Sequence, residues 1–136
     1  MADSIREQLL AAITLAVGGI YDTEIPTDER ELPITLVFDE PETATDDYDN
    51  STVILPVSIA TVAEATSRDQ ATQRAQANDL LAIIIATMIT SENFGGLAQS
   101  ASYEGGGILL NNKFVAAEAQ FLITYSFLRN DPYSQS

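Results

Sequence analysis

Three groups of residues in this chain have types and spacings that could do chemistry. Asp47-x-Asp49-x-Ser51 begins like a calcium loop. Thr52 then stands where such a loop needs its glycine, and Ser58 where it needs a bidentate glutamate. Gly105-Gly106-Gly107 could start a phosphate-binding turn, but no Lys-Ser or Lys-Thr follows, and no helix is expected to lend its N-terminus. A bulge in a hairpin strand is the better reading of the triplet. The third group is the carboxylates themselves. Acid–base work would need them buried or paired to shift their pKa values. Most fall in polar stretches with only Arg30 near in sequence, so a solvated surface is expected. Lys113, the single lysine, sits beside a turn without the desolvation a reactive lysine requires.

Composition narrows the chemistry further. The chain has no histidine and no cysteine, which removes the commonest general base, the commonest metal ligand, thiolate chemistry and disulfides. No catalytic residue, cofactor or metal site is expected, and the chain is not expected to be an enzyme. Six basic against twenty acidic residues give a net charge of −14, which repels nucleic acid and anionic lipid. The longest unbroken apolar run, residues 80–86, is far short of the roughly 20 residues a bilayer crossing needs. With Glu7 ahead of any apolar run, the N-terminus does not resemble a signal peptide. These features point to a soluble protein made in a cytoplasm, and its 136 residues suffice for one domain with its own core.

The element that organises the chain is the stretch 114–127, FVAAEAQFLITYSF. Val115, Ala117, Ala119, Phe121, Ile123, Tyr125 and Phe127 alternate with a more polar set, the signature of a strand with one buried face. At about 3.3 Å per residue it would span roughly 45 Å. Ahead of it, Ser4 and Glu7 form a capping box for a helix over 4–17, whose stripe is Ile5, Leu9, Ala12, Ile13, Ala16 and Val17 and whose stop is Gly18-Gly19.

The chain then turns acidic: eleven of the twenty carboxylates lie between Asp22 and Asp49. A short strand, 34–38, sits between Pro33 and Pro41, and its flanks, 22–31 and 39–49, read as loops, the second extended and mobile through charge repulsion. Residues 51–63 form a strand with Val53, Leu55, Val57 and Ile59 inward. Pro56 within it points either to a sheet edge or to a bulge.

A second helix is expected from about 68 to 90, started by Thr66 and Ser67. Its first half is polar, and its second (Leu80, Leu81, Ile83, Ile84, Ile85, Met88, Ile89) is apolar almost all round. Such a helix should be buried on every side, by the sheet and by the first helix or another chain. After a loop at 91–99, a weak strand (101–110) turns through Asn111-Asn112 into the long strand. The fold class is thus α+β: a mixed, mostly antiparallel sheet of about four strands with two helices on one face, in the order α-β-β-α-β-β. Residues 1–128 form the domain and 129–136 a C-terminal interaction arm.

The closing phrase carries a resemblance. A long last strand with the aromatic pair Tyr125 and Phe127, followed by Arg129 and Asp131-Pro132, resembles the tail-terminator and tail-completion proteins of tailed bacteriophages, as does the element order. The resemblance implies a virion protein that assembles as a ring, a hexamer in the family, which caps the tail tube and meets the head–tail connector while the genome passes through without specific binding. A neck or head-closure protein of the same junction is the alternative within that class. From another class, an acidic DNA mimic would also account for the charge.

The residues supply candidate contact positions. The outward face of the long strand mixes Phe114 and Leu122 with Glu118 and Gln120, and Ile54 and Val62 join it from the strand at 51–63, less polar than a free sheet face usually is. Arg129 and Tyr133 are residue types that anchor interfaces. Asp46, Asp47 and Asp49 are candidates for a loop that faces the channel of a ring or docks on its outside.

Overall fold

Strand β6 (Phe114–Leu128) lies inside the sheet, paired antiparallel along its whole length with β4 (Asn50–Glu64), from Asn50↔Leu128 to Glu64↔Phe114. The computed structural model describes residues 3–21, 32–91 and 93–135. The expected loop at 22–31, Arg30 included, lies outside them.

Helix α1 (Ile5–Val17) starts where the Ser4 side chain accepts the Glu7 amide at 3.1 Å. It stops at Gly18, in the left-handed region at φ 64°, and the Gly19 amide returns to the Thr14 carbonyl at 3.0 Å. Its buried stripe is Ile5, Leu9, Leu10 and Ile13. Strand β1 (Ile20–Tyr21) follows at once and pairs parallel with β2 (Ile34–Asp39). A Cβ on Gly19 would stand 2.8 Å from the Thr35 carbonyl oxygen, so only glycine lets the chain pass this close.

β2 pairs antiparallel with one half of β4, and β3 (Thr43–Asp46) pairs antiparallel with the other half along the same edge. The stretch 39–49 is therefore largely a strand and a tight hairpin, where a loop was expected. Carboxylate repulsion is relieved there because the backbone joins a ladder and two of the acids gain a cation.

Pro56 is not at a sheet edge, because β4 is internal; opposite it the partner edge carries one extra residue, between Asp39↔Val57 and Thr43↔Ile54, as in a bulge. β2 reaches Val57 and β3 begins at Ile54, so Pro56 stands in the gap between two partners, where no ladder bond needs its missing N–H. Its carbonyl still accepts the Glu40 amide at 3.0 Å, closing the gap.

Helix α2 (Gln70–Thr90) is capped by Asp69, two to three residues later than expected; the Asp69 carboxylate takes the Thr72 amide at 3.0 Å and hydroxyl at 2.8 Å. Both bonds favour its charged form and lower its pKa. The polar first half has a job. Gln76 binds the Thr66 amide and the Glu64 carbonyl, and Gln73 binds the Ser67 carbonyl, which satisfies the connector from β4. The second half is not buried all round. Ala77, Ile84 and Met88 face the sheet, while Ile83 and Ile89 are 62% and 55% exposed. One sheet face and a light contact with α1 cannot cover a full helix circumference.

Strand β5 (Ser100–Leu110) forms the hairpin with β6, with Glu104 as the extra residue of a bulge between Tyr103 and Gly105. The last strand, β7 (Asp131–Gln135), was not anticipated. After the turn at Arg129-Asn130, with Asn130 at φ 65°, residues 131–135 fold back on the end of β6, and Gln135 Nε2 reaches the Gly96 carbonyl at 2.5 Å.

The sheet thus has seven strands, in the order β1-β2-β4-β6-β5, with β3 beside β4 and β7 beside β6. Both helices lie on one face, over a core of Leu9, Ile13, Val37, Leu55, Ile59, Ile84, Met88, Phe121, Ile123 and Tyr125. The α+β class with two helices on one face holds, with more strands than the expected four because short β1, β3 and β7 leave little periodicity to read.

Candidate assembly interface

The side chains of β4, β6 and β5 that point away from the helices form an open face. Register fixes its rows: Ile54 beside Thr124, Pro56 beside Leu122, Ser58 beside Gln120, Ala60 beside Glu118 and Val62 beside Ala116. On the other side of β6, Ser102 faces Leu122, Gly105 faces Gln120, Gly107 faces Glu118 and Leu109 faces Ala116. Among the described residues no helix covers these rows. Ile54, Leu109 and Phe114 are exposed large apolar side chains, Leu109 the most at 69%.

A groove of about 680 Å³ runs along this face, lined by Ala60, Val62, Gly105, Gly107, Leu109, Phe114, Ala116, Glu118 and Gln120. Its shape comes from two sequence features. Gly105 and Gly107 leave empty space where side chains would stand, with nothing within 4 Å of an added Cβ. The bulge at Glu104 sets their parity; without it these two glycines would face the helices. Gly106 has the opposite orientation and is obligatory. A Cβ there would lie 2.6 Å from the Glu118 carbonyl oxygen and 2.9 Å from the Tyr103 hydroxyl. Glu118 is the one charged residue lining the groove, and among the described residues no ion pair reaches it.

Five expected contact residues, Ile54, Val62, Glu118, Gln120 and Leu122, therefore share one face. Arg129 and Tyr133 do not join them. Arg129 lies in the β6–β7 turn, its amide donating to the Asp49 carbonyl at 2.9 Å, and Tyr133 is exposed on β7. Asp46, Asp47 and Asp49 sit at the β3–β4 hairpin tip, beside that turn. Asp46 accepts the Ser51 hydroxyl. Asp47 Oδ1 accepts the amides of Asp49 and Asn50 at 3.1 and 2.9 Å, so this carboxylate builds the turn. No group of three or more acidic side chains among the described residues is arranged to hold a metal ion. No helix there is long and apolar enough to cross a membrane.

A polar cluster holds the opposite, helix-covered side of the sheet in place. Arg6 on α1 donates through Nε to Glu42 at 2.7 Å and through a terminal nitrogen to Asp39 at 2.5 Å. Tyr125 donates to the same Glu42 oxygen at 2.8 Å, and Tyr21 donates to Asp39 at 2.5 Å. Burial, and next the bond to Glu42, push the Tyr125 hydroxyl above the usual phenol range. At Tyr21 the pKa is also raised, chiefly by the bond to Asp39. Asp39 and Glu42 are thus paired, where solvated loop acids were expected, by an arginine more than thirty residues away in sequence. Charge counting within a local window could not reveal that partner.

No family model matches this chain, and no curated protein matches its sequence. Among solved structures, a chain from one described as the virion of a native gene transfer agent particle is similar, with a TM-score of 0.46 and 15% identity over 90% of this chain and 92% of that one.

Proposed function

We propose that this protein is a structural subunit of a tailed-phage-like virion, a tail-terminator or tail-completion protein that assembles as a ring, a hexamer by the family resemblance. In that role it would cap the tail tube and join it to the head connector, with tube and connector proteins as its partners. The observation that carries this reading is the open face of β4, β6 and β5. A sheet face left to water is normally polar, whereas this one presents Ile54, Val62, Leu109, Phe114 and Leu122 around a groove. A patch of that kind on a protein with no candidate metal cluster among its described residues is best read as a subunit contact.

The acidic hairpin tip at Asp46, Asp47 and Asp49 gives the ring a negative element for its channel or outer rim. A negative wall offers a polyanion no adhesion. The DNA-mimic reading has less support, because Asp39 and Glu42 share Arg6, which offsets one of their two charges, and the open sheet face is largely apolar.

Mass in solution across a concentration series, with negative-stain images, tests the proposal. Particles with a central hole, in one closed stoichiometry, are the expected result. A chain that stays monomeric alone and in the presence of tail tubes would overturn it.

A further inference from the structure

We propose that the groove on the open sheet face receives the outer flank of α2 from a second copy of this chain, so that subunits join head to tail. This rests on the ring reading above and names the two surfaces that would make the ring.

The second surface is a stripe on α2. Arg74, Asn78, Ala82, Ile85 and Ile89 follow one another at helical spacing along one flank, and all but the half-buried Ile85 are exposed. Ile89 is fifteen positions on from Arg74, about 22 Å at 1.5 Å per residue. The groove runs along β6 from Phe114 to Gln120, six positions on and about 20 Å at 3.3 Å per residue. The two lengths match.

Charge matches as well. Glu118 is the single charged group in the groove, toward its Gln120 end, and Arg74 is the single charge on the stripe, at its N-terminal end. With the Arg74 backbone at the Gln120 end and its side chain reaching along the groove to Glu118, Ile85 and Ile89 fall toward Leu109 and Phe114, the exposed apolar end. The space left by Gly105 and Gly107 lets a helix come close. Neither charged group has an ion-pair partner among the described residues of its own chain.

The symmetry follows from position. The groove and the stripe are different surfaces on opposite sides of the sheet, so they cannot satisfy each other within a two-fold dimer. A contact between two different patches is heterologous, and repeated with a closing rotation it makes a ring.

The chain has no cysteine, so introduced thiols report cleanly. Gly107→Cys and Ala82→Cys are both at exposed positions. Under mild oxidation the mixed single variants should form a disulfide dimer, neither variant alone should do so, and the double variant should give a ladder of covalent oligomers. In parallel, Glu118→Arg or Arg74→Glu alone should weaken self-association by about tenfold, and the two together should restore it.

Gly107→Cys crosslinking with itself would overturn the head-to-tail arrangement. Rings that form without any crosslink, and without response to the charge reversals, would remove this contact and leave the ring reading standing. A chain monomeric in every condition would remove both.

Discussion

The Tyr125 hydroxyl donates to the Glu42 carboxylate at 2.8 Å, tying β6 to the bend between β2 and β3. Glu42 is shared with Arg6, so one oxygen joins α1, the bend and β6. Tyr125→Phe keeps the ring in the core and removes only this bond. It should cost about 1.5–3 kcal/mol, the range for a hydrogen bond to a charged group, and lower the melting temperature by several degrees. Scanning calorimetry checks it.

The same pair gives a pH dependence. The Tyr125 pKa is raised in the folded state, so its contribution is fully present below the unfolded value near 10 and is lost as pH rises through the higher folded value. Stability from denaturant titration should therefore fall as pH climbs above about 10. Tyr125→Phe should flatten that fall without abolishing it, because Tyr21 is shifted in the same direction.

Ile84 and Ile83 are sequence neighbours with opposite fates. Ile84 is buried against the sheet and Ile83 is exposed. Ile84→Asp places a carboxylate among apolar side chains and should cost several kcal/mol, yielding insoluble or unfolded protein. Ile83→Asp should stay within about 0.5 kcal/mol of the parent. Paired expression and melting measurements separate them; equal melting temperatures would contradict the one-sided burial of α2.

The glycine triplet makes a similar contrast. Gly106→Ala drives a Cβ against the Glu118 carbonyl and the Tyr103 ring hydroxyl, and should destabilise by about 1–3 kcal/mol. Gly107→Ala meets nothing within 4 Å, and in a strand it should be neutral or slightly stabilising. Melting curves of the two variants should diverge in that order.

Deleting residues 131–136 removes β7, which is held by two register pairs with β6, the Gln135 contact to Gly96 and packing beside α1. The core residues of β6 keep β4 and β5 as partners. The truncated chain should fold with a small loss of melting temperature while its assembly into rings weakens, which circular dichroism and mass measurements together would show. Assembly equal to that of the full chain would exclude this segment from the contact.

What the sequence made legible was whatever repeats over many residues. The two-residue period of β6 and β4 showed which side chains face the core, and hence which five of the expected contact residues share the open face. The groove was not legible, because it depends on one unpaired residue, Glu104, which shifts the glycines by a single position. Whether an edge or a bulge accommodates Pro56 was not legible, since that depends on where β2 ends and β3 begins, which no local pattern states. The Arg6 cluster was missed because its members are distant in sequence and meet only after the sheet forms.

The fifteen-rung ladder between β4 and β6 also governs how the chain comes into being. β4 is finished at Glu64, and its main partner starts only at Phe114, about fifty residues later. At a synthesis rate of roughly 5–20 residues per second, that leaves a strand carrying Val53, Leu55, Val57 and Ile59 paired on one edge only, by β2 and β3, for about 3–10 s. During that interval α2 and β5 can form only local structure, and the apolar side of β4 is open to other nascent chains. Loop closure over so long a separation is also slow in refolding. Yield from this chain will therefore depend on how crowded the cell is with its own copies during synthesis, before any question of assembly arises.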